Sequence, residues 1–138
     1  MGVALSQREA ALKHGWRSGL EERTAASLEA RGVPFEYEEL TLEYVEPERK
    51  RKYTPDFVIT TRTGKKIIVE TKGRWLRADR LKMQLVIQQH PKLDIRFVFQ
   101  NPNTRISKGS KTTYADWCQT KLGSRWAKGD IPDAWILE

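Results

Sequence analysis

The 138 residues include one cysteine, Cys118. That excludes an internal disulfide framework and a zinc site built from several thiolates. Cys118 reads instead as a small buried hydrophobe. Long apolar runs are missing too. The stretch around Ile67-Ile68-Val69 is among the longest, far short of the roughly 20 residues of a transmembrane helix. The opening Met1-Gly2-Val3-Ala4-Leu5-Ser6 has no basic segment followed by an apolar one, so no secretory signal is expected. There are only two histidines, and both read as structural: His90 ends a helix, and His14 lies in a weakly patterned N-terminal segment. Repeats and low-complexity stretches are also missing. The expectation is a single-domain, soluble, cytoplasmic protein with no membrane association.

Charge is abundant and unevenly placed. Lys and Arg number 25 against 18 Asp and Glu, a net of +7. Residues 1–50 hold 7 basic and 10 acidic side chains, so the remaining residues carry a net of +10. A pI near 9.7 with clustered Lys and Arg is the electrostatic footprint of a nucleic-acid binder.

The periodicity predicts alternating elements. Ser6 with Glu9 has capping-box spacing, so Gln7–His14 reads as a short helix. Ser18 with Glu21 repeats the spacing before a helix over Leu20–Arg31, stopped by Gly32 and Pro34. Phe35–Leu40 alternates in period two, with Phe35 and Tyr37 on one side and Glu36 and Glu38 on the other. Leu42 and Tyr44 continue as an extended piece, and Pro47–Lys52 reads as a charged connector. Phe57–Thr61 and Lys65–Thr71 read as strands joined by a tight turn at Arg62-Thr63-Gly64. Ala78–Gln89 is a helix with Leu81, Leu85 and Val86 inward. Asp94–Gln100 is a strand, residues 100–111 a long loop, and Thr113–Leu122 a helix. Trp75, Trp117, Trp126 and Trp135 read as core. The fold class is α/β, a mixed central sheet flanked by helices.

The turn centred on Thr63 sets a register in which partner numbers sum to 126, so residue 59 faces 67 and Asp56 faces Glu70. Lys72, two residues on, shares the Glu70 face. Like charges opposite one another destabilise a sheet. Two carboxylates so placed suit a hard cation with oxygen ligands, such as Mg²⁺, and the lysine can orient water or meet phosphate charge. An isolated Pro-Asp followed by Glu-x-Lys is also compatible with a solvated strand end. The apolar run Ile67-Ile68-Val69 argues otherwise, because it predicts a strand buried on both faces that leads straight into Glu70.

These residues lie within a longer ordered set. Arg17-Ser18-Gly19-Leu20-Glu21, Phe35-Glu36-Tyr37-Glu38-Glu39, Tyr53-Thr54-Pro55-Asp56-Phe57, Val69-Glu70-Thr71-Lys72-Gly73, Gln89-His90-Pro91, Lys108-Gly109-Ser110 and Ala134-Trp135-Ile136 occur in that order. Together they closely resemble the phage endonuclease I family, Holliday-junction-resolving enzymes with a restriction-endonuclease-like core. The resemblance implies an intertwined, domain-swapped homodimer. In it, residues 17–45 are exchanged, 46–52 form a bridge, 17–138 form the nuclease domain, and 1–16 form an N-terminal arm. It also implies catalysis by Glu21, Asp56, Glu70 and Lys72. The three carboxylates would hold Mg²⁺ or Mn²⁺, Glu21 would come from the other subunit, and cleavage of branched DNA would leave 5′-phosphates. From its spacing alone, Glu21 is a capping residue for Ser18.

The expected DNA-binding residues are Arg17, Arg74, Arg77, Arg80, Lys82, Arg105, Lys108 and Lys111. No recognition helix is visible, so the contacts expected are to phosphate, which position a protein without reading sequence. Two alternatives are a non-catalytic junction-binding protein and another nuclease of the same superfamily, such as a mismatch or transposition endonuclease.

Overall fold

In the computed structural model the described residues are 15–47 and 49–138. The helix expected over Gln7–His14 lies outside them, as does nearly all of the 1–16 arm. The elements are α1 (Gly19–Ala30), β1 (Phe35–Tyr37), β2 (Leu42–Glu46), β3 (Arg49–Tyr53), β4 (Phe57–Thr60), β5 (Lys66–Lys72), α2 (Arg77–Gln89), β6 (Ile95–Phe99), α3 (Tyr114–Trp117), a π-helical turn (Cys118–Leu122), β7 (Trp126–Lys128) and α4 (Asp133–Ile136).

Five strands form a mixed sheet in the order β1-β4-β5-β6-β7. β1, β4 and β5 pair antiparallel, whereas β5, β6 and β7 pair parallel. The register of β4 on β5 is the expected one, with Ile59 opposite Ile67 and Phe57 opposite Val69. β5 is central, and its Ile67, Ile68 and Val69 are buried. Ile67 and Val69 join one core with Leu28 of α1, Tyr37, Phe57 and Trp135. Ile68 joins the other with Met83 and Val86 of α2, Trp75, Phe97, Phe99 and Trp117. The central strands β5 and β6 are therefore buried on both faces, and α1 and α2 cover opposite faces of the sheet.

α1 begins as expected. Ser18 is its N-cap, accepting the Glu21 N–H at 3.1 Å. The helix ends at Arg31, before Gly32 at φ +64°, a conformation that favours glycine.

Four expectations change. The segment read as a charged connector contains β3, which pairs with β2 as a separate two-stranded ribbon, Leu42 opposite Tyr53 and Glu46 opposite Arg49. Its run of four basic residues is tolerated because the partner strand offers acids, with Arg51 Nε 2.9 Å from Glu46. α2 is rotated relative to its predicted face: Arg80, Met83 and Val86 are buried, and Leu81 is exposed. The expected helix over Thr113–Leu122 is α-helical only to Trp117 and π-helical thereafter. Trp126, read as core, is 37% exposed on the edge strand β7.

One buried anchor and one exposed anchor hold the periphery. Arg96, 1% exposed, pairs with both oxygens of Asp94 at 2.9 and 2.8 Å and with Glu138 at 2.8 Å. Gln89 and His90, at the end of α2, hydrogen-bond the backbone of Val45 and Glu43 at 2.6 Å, fastening the ribbon to the body.

Candidate active site

The carboxyl end of β5 emerges beside the start of β4, and this junction gathers the acids. Glu70 is buried. Its Oε1 accepts the Asp56 N–H at 2.9 Å, and its Oε2 lies 3.4 Å from Lys72 Nζ. Asp56 reaches across the end of the strand pair, where its Oδ2 accepts both the N–H and the hydroxyl of Thr71 at 2.9 Å each. The two acids are thus neighbours, as the register requires, but they are stitched together through backbone and Thr71.

Glu21 arrives from α1. Its carboxylate reaches back to the N-cap side chain and across to β1, accepting the hydroxyls of Ser18, at 3.3 Å, and of Tyr37. One oxygen from each of Glu21, Glu38 and Asp56 lie within 4.8 Å of one another. Glu38 is absent from the sequence-based set. Strict alternation places it on the face opposite Tyr37, but it sits at φ +52°, which ends the strand and re-aims its side chain. This conformation is uncommon for a residue with a Cβ. Its N–H donates to the Asp56 carbonyl at 2.9 Å, and its carboxylate pairs with Arg17 Nε at 2.9 Å. The acidic string Phe35-Glu36-Tyr37-Glu38-Glu39 was a visible signal, but which acid turns inward depends on one backbone torsion.

Burial governs the electrostatics. It pushes Glu70 up to about 7, with the Asp56 charge adding to the effect and Lys72 opposing it. Burial also raises Asp56, against the Thr71 hydrogen bonds and Lys72. It raises Glu21 too, despite the hydrogen bond from Tyr37. Burial works against the Lys72 ammonium, but Glu70 and Asp56 outweigh it and keep it charged. The buried Tyr53 hydroxyl lies beside Glu70 outside ordinary hydrogen-bond geometry. Asp56, Glu70, Lys72, Tyr53, Asp79 and Lys82 line a cleft of ≈ 260 Å³, and Glu21 and Glu38 approach Asp56 from outside that lining. A crowd of hard oxygen donors, raised by burial and mutual repulsion, fits a divalent cation such as Mg²⁺.

The basic residues divide. Arg74, Arg77, Arg105 and Lys108 line a second, open groove of ≈ 540 Å³ between the start of α2 and the long loop. Gly109 in that loop has φ +88°. Lys111 is exposed. Lys82 sits in the acidic cleft with Nζ 5.3 Å from the Tyr53 ring centre, and Arg17 stands at its mouth, bound to Glu38. Arg80 does not belong with the surface set. It is 6% exposed, donates to the Trp75 carbonyl at 2.7 Å and lies over Trp117. Its guanidinium is used within the core.

The sequence pattern of the family described as Phage endonuclease I matches residues 1–138. This chain belongs to the phage endonuclease I family. Endonuclease I of Escherichia phage T7 is 46% identical over 123 residues, covering 89% of this chain and 79% of that protein. Endodeoxyribonuclease 1 of Enterobacteria phage T3 is 43% identical over 123 residues, covering 89% of this chain and 78% of that protein. Among the described residues, no helix of this endonuclease I family member is long and apolar enough to cross a membrane.

Proposed function

We propose that this chain is a divalent-ion-dependent endodeoxyribonuclease that cleaves branched DNA, four-way junctions above all, and leaves 5′-phosphates. Its nuclease class follows from the family. The observation that carries the finer reading is the position of Asp56, which lines one cleft with Glu70 and Lys72 and also comes within 4.8 Å of oxygens of Glu21 and Glu38, while a separate groove is lined by Arg74, Arg77, Arg105 and Lys108. Asp56 and Glu70, joined by Glu21, would hold Mg²⁺ or Mn²⁺. Such an ion, when bound, lowers the pKa of water and offsets charge on the phosphoryl oxygens. Glu70 and Lys72 orient water beside the scissile phosphate, and Lys72 stays charged to meet the developing negative charge. Thr71 fixes the Asp56 carboxylate with two donors. Arg74, Arg77, Arg105, Lys108 and Lys111 hold backbone phosphates, with Lys82 and Arg17 at the cleft itself. None of this machinery reads base edges, which suits selection by DNA shape.

The functional unit we propose is a homodimer whose subunits exchange α1 and β1. Glu21 and Glu38 lie before the β2–β3 ribbon, and Asp56, Glu70 and Lys72 lie after it. Opening the ribbon at its tip, between Glu46 and Arg49, would carry the first group to a second copy. There the same β1–β4 pairing could re-form between chains. Two sites related by a two-fold axis then match the two opposed cuts that a symmetric junction needs.

Incubating the protein with end-labelled four-way junction and linear duplex in Mg²⁺ tests the activity. Preferential cutting of the junction is expected, and Glu70→Gln should bind without cutting. Binding with no cleavage by the unsubstituted protein would leave a silent junction binder. Equal cutting of linear duplex would point to another nuclease of the superfamily. Mixing Glu21→Ala with Asp56→Ala chains tests the exchange: one working site per heterodimer is expected. No recovery in verified heterodimers refutes sharing across subunits.

A further inference from the structure

Tyr37 ends β1 opposite Phe57 and is 3% exposed. Its ring is wedged between two others. Trp16 meets it edge-on at 4.4 Å between centroids, and Phe57 lies at 5.3 Å. The ring therefore has no room to swing, and its hydroxyl has a fixed place. That hydroxyl donates to Glu21 Oε2, while Ser18 donates to Oε1 at 3.3 Å.

We propose that Tyr37 is a positioning residue for the metal site: it clamps the Glu21 carboxylate so that both oxygens hold one donor and keep a lone pair for a divalent ion. The inference rests on the reading of Glu21 as an ion ligand. A glutamate in the first turn of a helix has several free torsions, and a ligand that must be ordered on binding loses that freedom at the cost of affinity. Here the ordering is done in advance by a neighbour that cannot move. Carboxylate ligands elsewhere are held by such hydrogen bonds, and losing one typically weakens metal affinity or activity about 10–100-fold.

The clamp also belongs to the right segment. Ser18, Glu21 and Tyr37 all precede the β2–β3 ribbon. Ligand and clamp therefore travel together on one segment as one half of the site, and Phe57 of β4 completes the wedge around the ring once that segment docks. Asp56 and Glu70 form the other half, organised by Thr71 and Lys72. The backbone bond from Glu38 N–H to Asp56 O docks the two halves.

The test measures Mn²⁺ binding by titration calorimetry on the full chain without DNA, together with the Mn²⁺ dependence of junction cleavage. Tyr37→Phe keeps the ring and removes only the donor. Its Mn²⁺ affinity should fall about tenfold, its half-saturating Mn²⁺ should rise in parallel, and its rate at saturating Mn²⁺ should fall less. Junction affinity in EDTA should stay unchanged. In a Glu21→Gln background the same substitution should add nothing. Phe35→Leu, which loosens the same strand without touching Glu21, should lower Tm and leave Mn²⁺ affinity in place.

Four results overturn the proposal. Tyr37→Phe could leave Mn²⁺ affinity intact while Glu21→Gln weakens it, which sinks the clamp and spares the ligand. Losses from Tyr37→Phe and Glu21→Gln could simply add, or Phe35→Leu could weaken Mn²⁺ as much, which reduces Tyr37 to packing. Glu21→Gln could itself leave Mn²⁺ binding untouched, which removes the ligand and the clamp together.

Discussion

Replacing Glu70 by Gln should stabilise the metal-free protein above neutral pH while destroying its activity. Burial and the Asp56 charge push this carboxyl from 4.5 to about 7. Between those values the folded state holds a proton that the unfolded chain has released. The stability contributed by Glu70 is therefore complete below pH 4.5 and is lost as pH rises through 7. Each tenfold in proton affinity is about 1.4 kcal/mol, so keeping the ionised carboxylate at this site costs about 3 kcal/mol. Glutamine has the same shape and can still accept the Asp56 N–H, but carries no charge. At pH 8.5 without metal its Tm should exceed the parent's by roughly 9–12 °C, given about 3–4 °C per kcal/mol for a domain of this size. At pH 5 the gap should narrow towards zero. Mg²⁺ at ten times its Kd should return about 1.4 kcal/mol to the parent and much less to the variant. The assay is thermal unfolding across pH, with and without Mg²⁺. A variant less stable than the parent at pH 8.5, or a gap that does not shrink with acid, would refute the claim that a buried acid only partly offset by Lys72 defines this site.

Two other perturbations address the frame and the DNA surface. Arg96→Ala should cost about 1–3 kcal/mol in urea unfolding at pH 7, because it removes the buried partner of Asp94 and Glu138 and leaves them only Lys65 and Arg125 near the surface. Arg96 holds Asp94 below its usual range, and holds Glu138 at about 2. That stability is present above pH 4.5 and lost as pH falls towards 2, so the parent and variant curves should converge in acid. For the groove, Arg105→Ala with Lys108→Ala should reduce the slope of log K against log salt for junction binding by about 2. An unchanged slope would remove that groove from the DNA path.

Much of the site was legible locally. A tight turn at Thr63 sets the pairing of its two flanking strands, and a fully apolar run before an acid marks a buried strand end. The Asp56–Glu70–Lys72 constellation therefore follows from counting outward from one turn. Elsewhere, local pattern was insufficient. Arg49–Lys52 has no alternation to mark a strand, and it becomes one because β2 offers acids across the ribbon. α2 has apolar residues on more than one side, and which side meets the sheet depends on where the β5–α2–β6 crossover lands. Arg80 has the composition of a surface residue, yet its guanidinium finds the Trp75 carbonyl inside.

What the sequence by itself determined is the class of protein, the central sheet and the acids on neighbouring strands, because hydrophobic period, turn chemistry and residue order act over a few positions. What only the tertiary structure decided is where the Glu21 carboxylate lies, that the Tyr37 hydroxyl donates to it, and that Glu38 comes within 4.8 Å of it. Those depend on α1 and β1 docking against β4 across a ribbon of residues 42–53. Contacts between such separated segments arise from packing and a single backbone torsion, and neither leaves a periodic trace in the chain.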